Sequence, residues 1–237
     1  MIHTERRNAL YTIQIGSFVL NGQIILLMVF GWFGWIAMQR YIRKLSAEEN
    51  YGTIALNAFI IWFLVWKGSP LLLDPLQTIK HPASLLYFDG GVLGQWIASM
   101  VSGLYVAYRT WKERLSWKFT AEIASCYLLG GMAFYHLGLI WFESDNWLFH
   151  AGYAVLSLVA LYSLFVLKQP APLKRIVQRW QWFSIGLVFI WYLYPEKELL
   201  ILSFSSHQVF SLTMGIILSI FLWLYDVQKI NGERGNH

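Results

Sequence analysis

RTWKERLSWK (109–118) followed by FTAEIASCYLLGGMAFYHLGLIWF (119–142) is the stretch that decides the fold. Arg109, Lys112, Arg114 and Lys118 stand just before 24 residues holding a single carboxylate, Glu122, and a single histidine, His136. About 20 apolar residues in helical form cross the hydrocarbon core of a bilayer, so 119–142 reads as a membrane span with a basic flank. Outward from it lie six further apolar runs, at 18–38, 52–66, 92–108, 147–167, 180–194 and 203–225. The runs at 52–66 and 180–194 reach a full span only with flanking residues. Composition agrees, since 57% of the 237 residues are hydrophobic and 13% charged, too apolar for a soluble domain. The expected fold is an all-α integral membrane protein, one membrane domain over 1–237 with about seven transmembrane helices.

Charge sets the expected orientation. Thirteen of the 18 Lys and Arg fall in the loops after runs one, three and five and in the C-terminal tail. The opposite side holds Arg6, Arg7, Lys67, Lys80 and Lys197. Basic loops stay cytoplasmic, which puts the N-terminus outside and the C-terminus inside. Attraction of these loops to anionic lipid accounts for the net charge of +5, and no nucleic-acid partner is expected. Run one lacks a small-residue cleavage site and ends in RYIRK (40–44), so it reads as a retained helix rather than a signal peptide. Cys126 is the one cysteine, which excludes an intramolecular disulfide and a Cys-cluster metal site. No histidine spacing suits a metal, and no phosphate loop, nucleophile elbow or HExxH is present. No cofactor is expected.

The outer segment KGSPLLLDPLQTIKHPASLLYFDGG (67–91) combines three prolines and a closing Gly90-Gly91 with apolar Leu71–Leu73 and Leu85–Phe88. Broken yet apolar backbone fits a re-entrant or interfacial element, and equally a collapsed loop over the bundle rim. Polar residues inside the runs are Asn21, Gln23, Gln95, Glu122, His136, His207 and Gln208. Such residues are costly in hydrocarbon and often mark function. Each has a plain structural reading as well. Glu122 can pair with Lys118 or cap a helix, Gln95 can bridge helices, and His136, which shares a helical face with Glu143, can be a hydrogen-bonded packing residue. Trp and Tyr at the run ends form an interfacial belt. Gly130, Gly131 and Gly138 allow close helix approach.

Four motifs in order resemble the prolipoprotein diacylglyceryl transferases of bacteria. IQIGSFVL (13–20), leading into run one, resembles that family's IGP opening; His81-Pro82 through Asp89-Gly90-Gly91 resembles its approach to the third span. The segment from Glu122 resembles its glycine signature, with Gly131 and Gly138 on family glycines, and SHQVFSL (206–212) resembles the stretch before its last span. The resemblance covers roughly 13–225 and implies a multi-pass protein of the bacterial plasma membrane. It implies transfer of diacylglyceryl from phosphatidylglycerol to a lipobox cysteine. Cations should hold the phosphate, and a base should assist the thiol.

This chain departs from the family where those groups stand. Asn21 and Gln23 replace the opening His and Tyr, Gln95 replaces a histidine, and His136 replaces the signature arginine, with Leu139 for the asparagine that follows. Lys67 stands near a family arginine, the Arg and Glu of the sixth span fall near Phe189 and Leu193, and Gln208 is kept. A neutral imidazole does not do the permanently charged, bidentate work of a guanidinium on phosphate. The expectation is therefore a divergent paralogue with reduced or no catalysis, binding phosphatidylglycerol-like phospholipid, a preprolipoprotein signal peptide or a membrane partner protein. In that reading His136 and Gln95 are the catalytic candidates, and Lys67, Gln23, Asn21 and Gln208 the lipid- and phosphate-binding ones. The alternative is an active transferase with a rearranged site.

Overall fold

The computed structural model describes residues 12–15, 18–45, 50–80, 90–166, 172–194, 199–201 and 204–234. A hairpin, β1 (Thr12–Ile15) and β2 (Phe18–Asn21), pairs Thr12 with Asn21 and Ile15 with Phe18. It leads into α1 (Gly22–Lys44). The first helix thus starts four residues later than the run at 18–38 suggests. Ile13, Ile15, Phe18 and Val19 are β-branched or aromatic, side chains that suit a paired strand.

Next come α2 (Asn50–Gly68), two short helices, α3 (Pro70–Leu73) and α4 (Pro75–Lys80), and then α5 (Gly91–Lys112) and α6 (Trp117–Phe142). The 3₁₀ turn Ser144–Asn146 precedes α7 (Trp147–Phe165), and α8 (Leu173–Ile190) runs into the 3₁₀ turn Trp191–Leu193. A second small hairpin, β3 (Leu199–Ile201) with β4 (Phe204–Ser205), opens α9 (Ser206–Arg234).

Five stretches among the described residues are helical, long and apolar enough to cross a membrane: Gly22–Lys44, Asn50–Gly68, Trp117–Phe142, Ser144–Phe165 and Ser206–Val227. α5 and α8 are long helices of lower apolarity. Gln95, Ser99, Ser102, Arg109 and Lys112 dilute α5; Lys174, Arg175, Gln178, Arg179 and Gln181 fill the first half of α8.

Packing divides the chain into two compact units, residues 1–23 with 42–120 and residues 24–41 with 121–237. In the first, α2 and α5 lie antiparallel, joined by a ladder of polar contacts. Asn57 Nδ2 donates to Tyr105 Oη (3.2 Å), Ser102 Oγ to the Ala58 carbonyl (2.9 Å) and Trp62 Nε1 to Ser99 Oγ (3.0 Å). Small and polar residues at such spacings hold helices together in lipid, where apolar burial between helices has no driving force. Proline opens both α3 and α4, where its missing N–H costs nothing. Thr78 ties them by donating to the Asp74 and Pro70 carbonyls, while Leu72, Leu76 and Ile79 are each at least 70% exposed. These short helices with bare leucines stand between α2 and α5 in the chain. Residues 81–89, which carry the His81–Asp89 motif and Leu85–Phe88, lie outside the described residues.

In the second unit α1 and α6 pack antiparallel and close. Phe33 stacks on Phe134 with centroids 3.7 Å apart, and a Cβ on Gly130 would come within 2.6 Å of Ala37 Cβ. α7 meets α8 through Arg179 Nε, which donates to Ser163 Oγ (2.7 Å). α8 meets α9 through Gln181 Nε2 to Ser219 Oγ (2.7 Å) and the Lys174–Asp226 ion pair. Cys126 is fully buried on α6, a small packing residue.

Candidate functional site

The described residues bring together one connected set of titratable and aromatic side chains inside the second unit. α6 ends at Phe142, and the turn through Glu143 and Asn146 reverses the chain into α7. That reversal sets His150 against the last turns of α6. His136 Nδ1 and His150 Nδ1 are 3.0 Å apart, and His150 Nε2 is 3.0 Å from Glu143 Oε2. Asn146 Nδ2 approaches the same Glu143 oxygen at 3.5 Å.

Donor inventory assigns the protons. An ionised carboxylate only accepts, so His150 Nε2 carries hydrogen and donates to Glu143. A neutral His150 then offers Nδ1 as acceptor, and His136 Nδ1–H donates to it. His136 is left with Nε2 as its lone-pair nitrogen, with no hydrogen-bond partner for it among the described residues. The ring is held flat against Tyr153, 3.8 Å between centroids and 12° between planes. Phe149 meets it edge-on at 6.0 Å. Phe149 also packs on Trp191 (4.7 Å), which stacks on His207 (4.3 Å, 8°). His150 is buried, and among the described residues no group of three or more His, Cys, Asp or Glu is placed to hold a metal. What this set can do is present His136 Nε2 as an acceptor whose ring is oriented through His150 and Glu143, the geometry of an oriented base. Among the described residues it contains no lysine or arginine to grip a phosphate.

The other candidates fall elsewhere. Gln208 is fully buried. Its Oε1 accepts from the Ser205 backbone N–H (2.9 Å), its own N–H donates to Ser205 Oγ (3.4 Å), and its Nε2 donates to the Val188 carbonyl (3.2 Å). Ser205 and Gln208 form a capping box at the start of α9, and the remaining amide hydrogen bond serves the C-terminal end of α8. Lys67 and Gln95 belong to the first unit, both half-buried, at the end of the α2–α5 pair where the Gly90 N–H approaches the Trp66 carbonyl (3.4 Å). Gln23 is the second residue of α1 and half-buried; the side chain of Asn21, at the end of β2, lies outside the described ones. Glu122 is fully buried and accepts from Tyr41 Oη at 2.6 Å.

Phe149 and Tyr153 are not singled out by the sequence, His150 figures there only among histidines without metal spacing, and Trp191 only in the aromatic belt. The available signal is the even spacing His136, Glu143, His150 across a helix end. No protein-family profile, curated protein or solved structure matches this chain.

Proposed function

We propose that this chain is a seven-span protein of the bacterial plasma membrane, N-terminus outside, that descends from prolipoprotein diacylglyceryl transferases and holds a phospholipid or lipopeptide without transferring a diacylglyceryl group. The observation that carries this is the surface at Phe189 and Leu193, 67% and 49% exposed, where the related enzymes place an arginine and a glutamate. Bare apolar side chains there suit contact with acyl chains and give a leaving phosphate nothing to bind. Gln208 adds support, because its amide is committed to helix ends. Losing one group that stabilises developing charge lowers a rate by about 10²–10³, so the loss of several leaves no useful turnover.

Purified protein given phosphatidylglycerol and a lipobox peptide is expected to retain lipid through purification and to produce no lipidated peptide. Transfer that disappears in His136→Ala would overturn the proposal. A second reading, an active transferase with a rearranged site, draws on the His136–His150–Glu143 relay as base for the cysteine thiol. Rescue of a strain lacking its own transferase, dependent on Glu143 as well as His136, is the outcome that reading requires.

A further inference from the structure

The turn between α5 and α6 carries a feature that the transferase kinship does not use. α5 ends in a Schellman motif: Leu115 N–H donates to the Thr110 carbonyl (2.9 Å) and Arg114 N–H to the Trp111 carbonyl (3.2 Å). The residue that closes such a motif adopts left-handed backbone and is usually glycine. Here it is Arg114, with φ of 54°, the one non-glycine residue at positive φ among those described. A bulky side chain in that conformation is an outlier that asks for a reason.

Its position supplies one. Thr110, Trp111, Lys112, Arg114, Leu115 and Trp117 line a crevice of about 500 Å³, within the usual size range of small-molecule sites. The crevice is rigidly framed. Thr110 and Thr120 hydroxyls meet at 3.4 Å, and Thr120 donates back to the Ser116 carbonyl, which fixes the end of α5 to the start of α6. Glu113, the acid of this turn, is paired with Arg109, whose Nε lies 2.7 Å from its carboxylate. Lys112 and Arg114 are exposed and have no carboxylate partner among the described residues; Lys112 Nζ lies 5.6 Å from the Tyr108 ring centroid. Trp111 and Trp117 are 71% and 56% exposed on its rim. Trp117 opens α6, one of the five membrane-length helices, so the crevice sits at the water end of a span. Two cations between two tryptophans at that depth match a phosphate above an acyl-glycerol body.

We propose that this crevice binds the phosphate-bearing headgroup of an anionic phospholipid. Lys112 and Arg114 grip the phosphate, and Trp111 and Trp117 flank the glycerol region. The inference rests on the membrane reading and is independent of transferase descent.

The test uses the full chain in a nonionic maltoside detergent, titrated with dihexanoylphosphatidic acid below its micelle concentration. Wild-type protein should bind it at least about tenfold more tightly than dihexanoylphosphatidylcholine or inorganic phosphate. Lys112→Gln with Arg114→Gln should remove at least about tenfold of that affinity, and Arg114→Gly alone should weaken it while the fold stays intact. Arg40→Gln with Arg43→Gln, which removes two charges elsewhere, should leave it within about twofold. Equal binding of the zwitterionic lipid, equal loss in the Arg40/Arg43 variant, or inorganic phosphate binding as well as the lipid would each overturn the proposal. Carbonate extraction separates the two readings: protein released from membranes sinks the membrane reading itself, whereas pelleted protein without the expected preference sinks only the site.

Discussion

Replacing Gln208 by alanine separates a structural amide from a ligand-binding one. SHQVFSL (206–212) resembles a transferase motif at this glutamine, and here the side chain bridges two helix ends. Removing it leaves the Ser205 N–H without its acceptor at the start of α9. It also strips a donor from the Val188 carbonyl, one of the last four in α8, which have no partner inside their own helix. Loss of an N-terminal cap costs about 0.5–2 kcal/mol. A helix–helix hydrogen bond in a membrane protein contributes about 0.6 kcal/mol on average, less than in water because the unfolded chain in lipid also finds partners. Together they give a destabilisation of about 2 kcal/mol, roughly a thirtyfold shift in the folding equilibrium. Equilibrium unfolding in mixed dodecyl maltoside and dodecyl sulfate micelles, followed by tryptophan fluorescence, measures it. Because Ser205 and Gln208 share one capping box, Ser205→Ala combined with Gln208→Ala should cost less than the sum of the single changes. Lipid retained by the folded fraction of Gln208→Ala should be unchanged. A variant as stable as wild type that no longer retains lipid would refute the assignment and make Gln208 a ligand contact.

Three further outcomes follow from packing. Tyr41→Phe removes the 2.6 Å hydrogen bond to the fully buried Glu122 and should cost about 1–3 kcal/mol in the same unfolding assay, whereas Glu122→Gln, which keeps an acceptor, should cost less. Gly130→Leu places side-chain atoms where Ala37 Cβ already stands, 2.6 Å from an added Cβ, and should cost at least about 1–3 kcal/mol by forcing α1 from α6. Gly103→Ala, with nothing within 4 Å of its added Cβ, is the neutral control. Arg114→Gly relieves left-handed backbone at φ 54° and should stabilise the protein by about 1 kcal/mol, read as a later unfolding midpoint.

Much of the architecture is legible because hydrocarbon imposes one rule on sequence. A span must be long and apolar, so α1, α6, α7 and α9 announce themselves by run length, whereas α2 reaches span length only with the residues flanking 52–66. Glycines at 130, 131 and 138 likewise announce the close approach of α6 to a neighbour, and the structure identifies that neighbour as α1. Helix ends obey weaker rules. Phe18–Asn21 is as apolar as the helix after it, and only pairing with Thr12–Ile15 distinguishes it as a strand. Gln208 carried a readable signature, Ser-x-x-Gln before an apolar run. The same residues also resemble a transferase motif, and that resemblance implies a ligand contact instead.

The His136 set was hidden for a different reason. Counting 3.6 residues per turn puts His136 and Glu143 on one helical face, which suggests a direct pair seven residues apart. The helix stops at Phe142, however, and Glu143 stands in the turn, where its carboxylate reaches His150 on the returning helix. The contact to His136 is made by His150 and not by the acid. Periodicity describes one helix at a time, and a relay assembled across a helix reversal depends on where the first helix ends and how the second returns. The 3.0 Å approach of the two imidazoles is a property of that turn. Changes that lengthen Ser144–Asn146 should therefore disrupt the relay as fully as removing a histidine, while leaving α6 and α7 themselves intact.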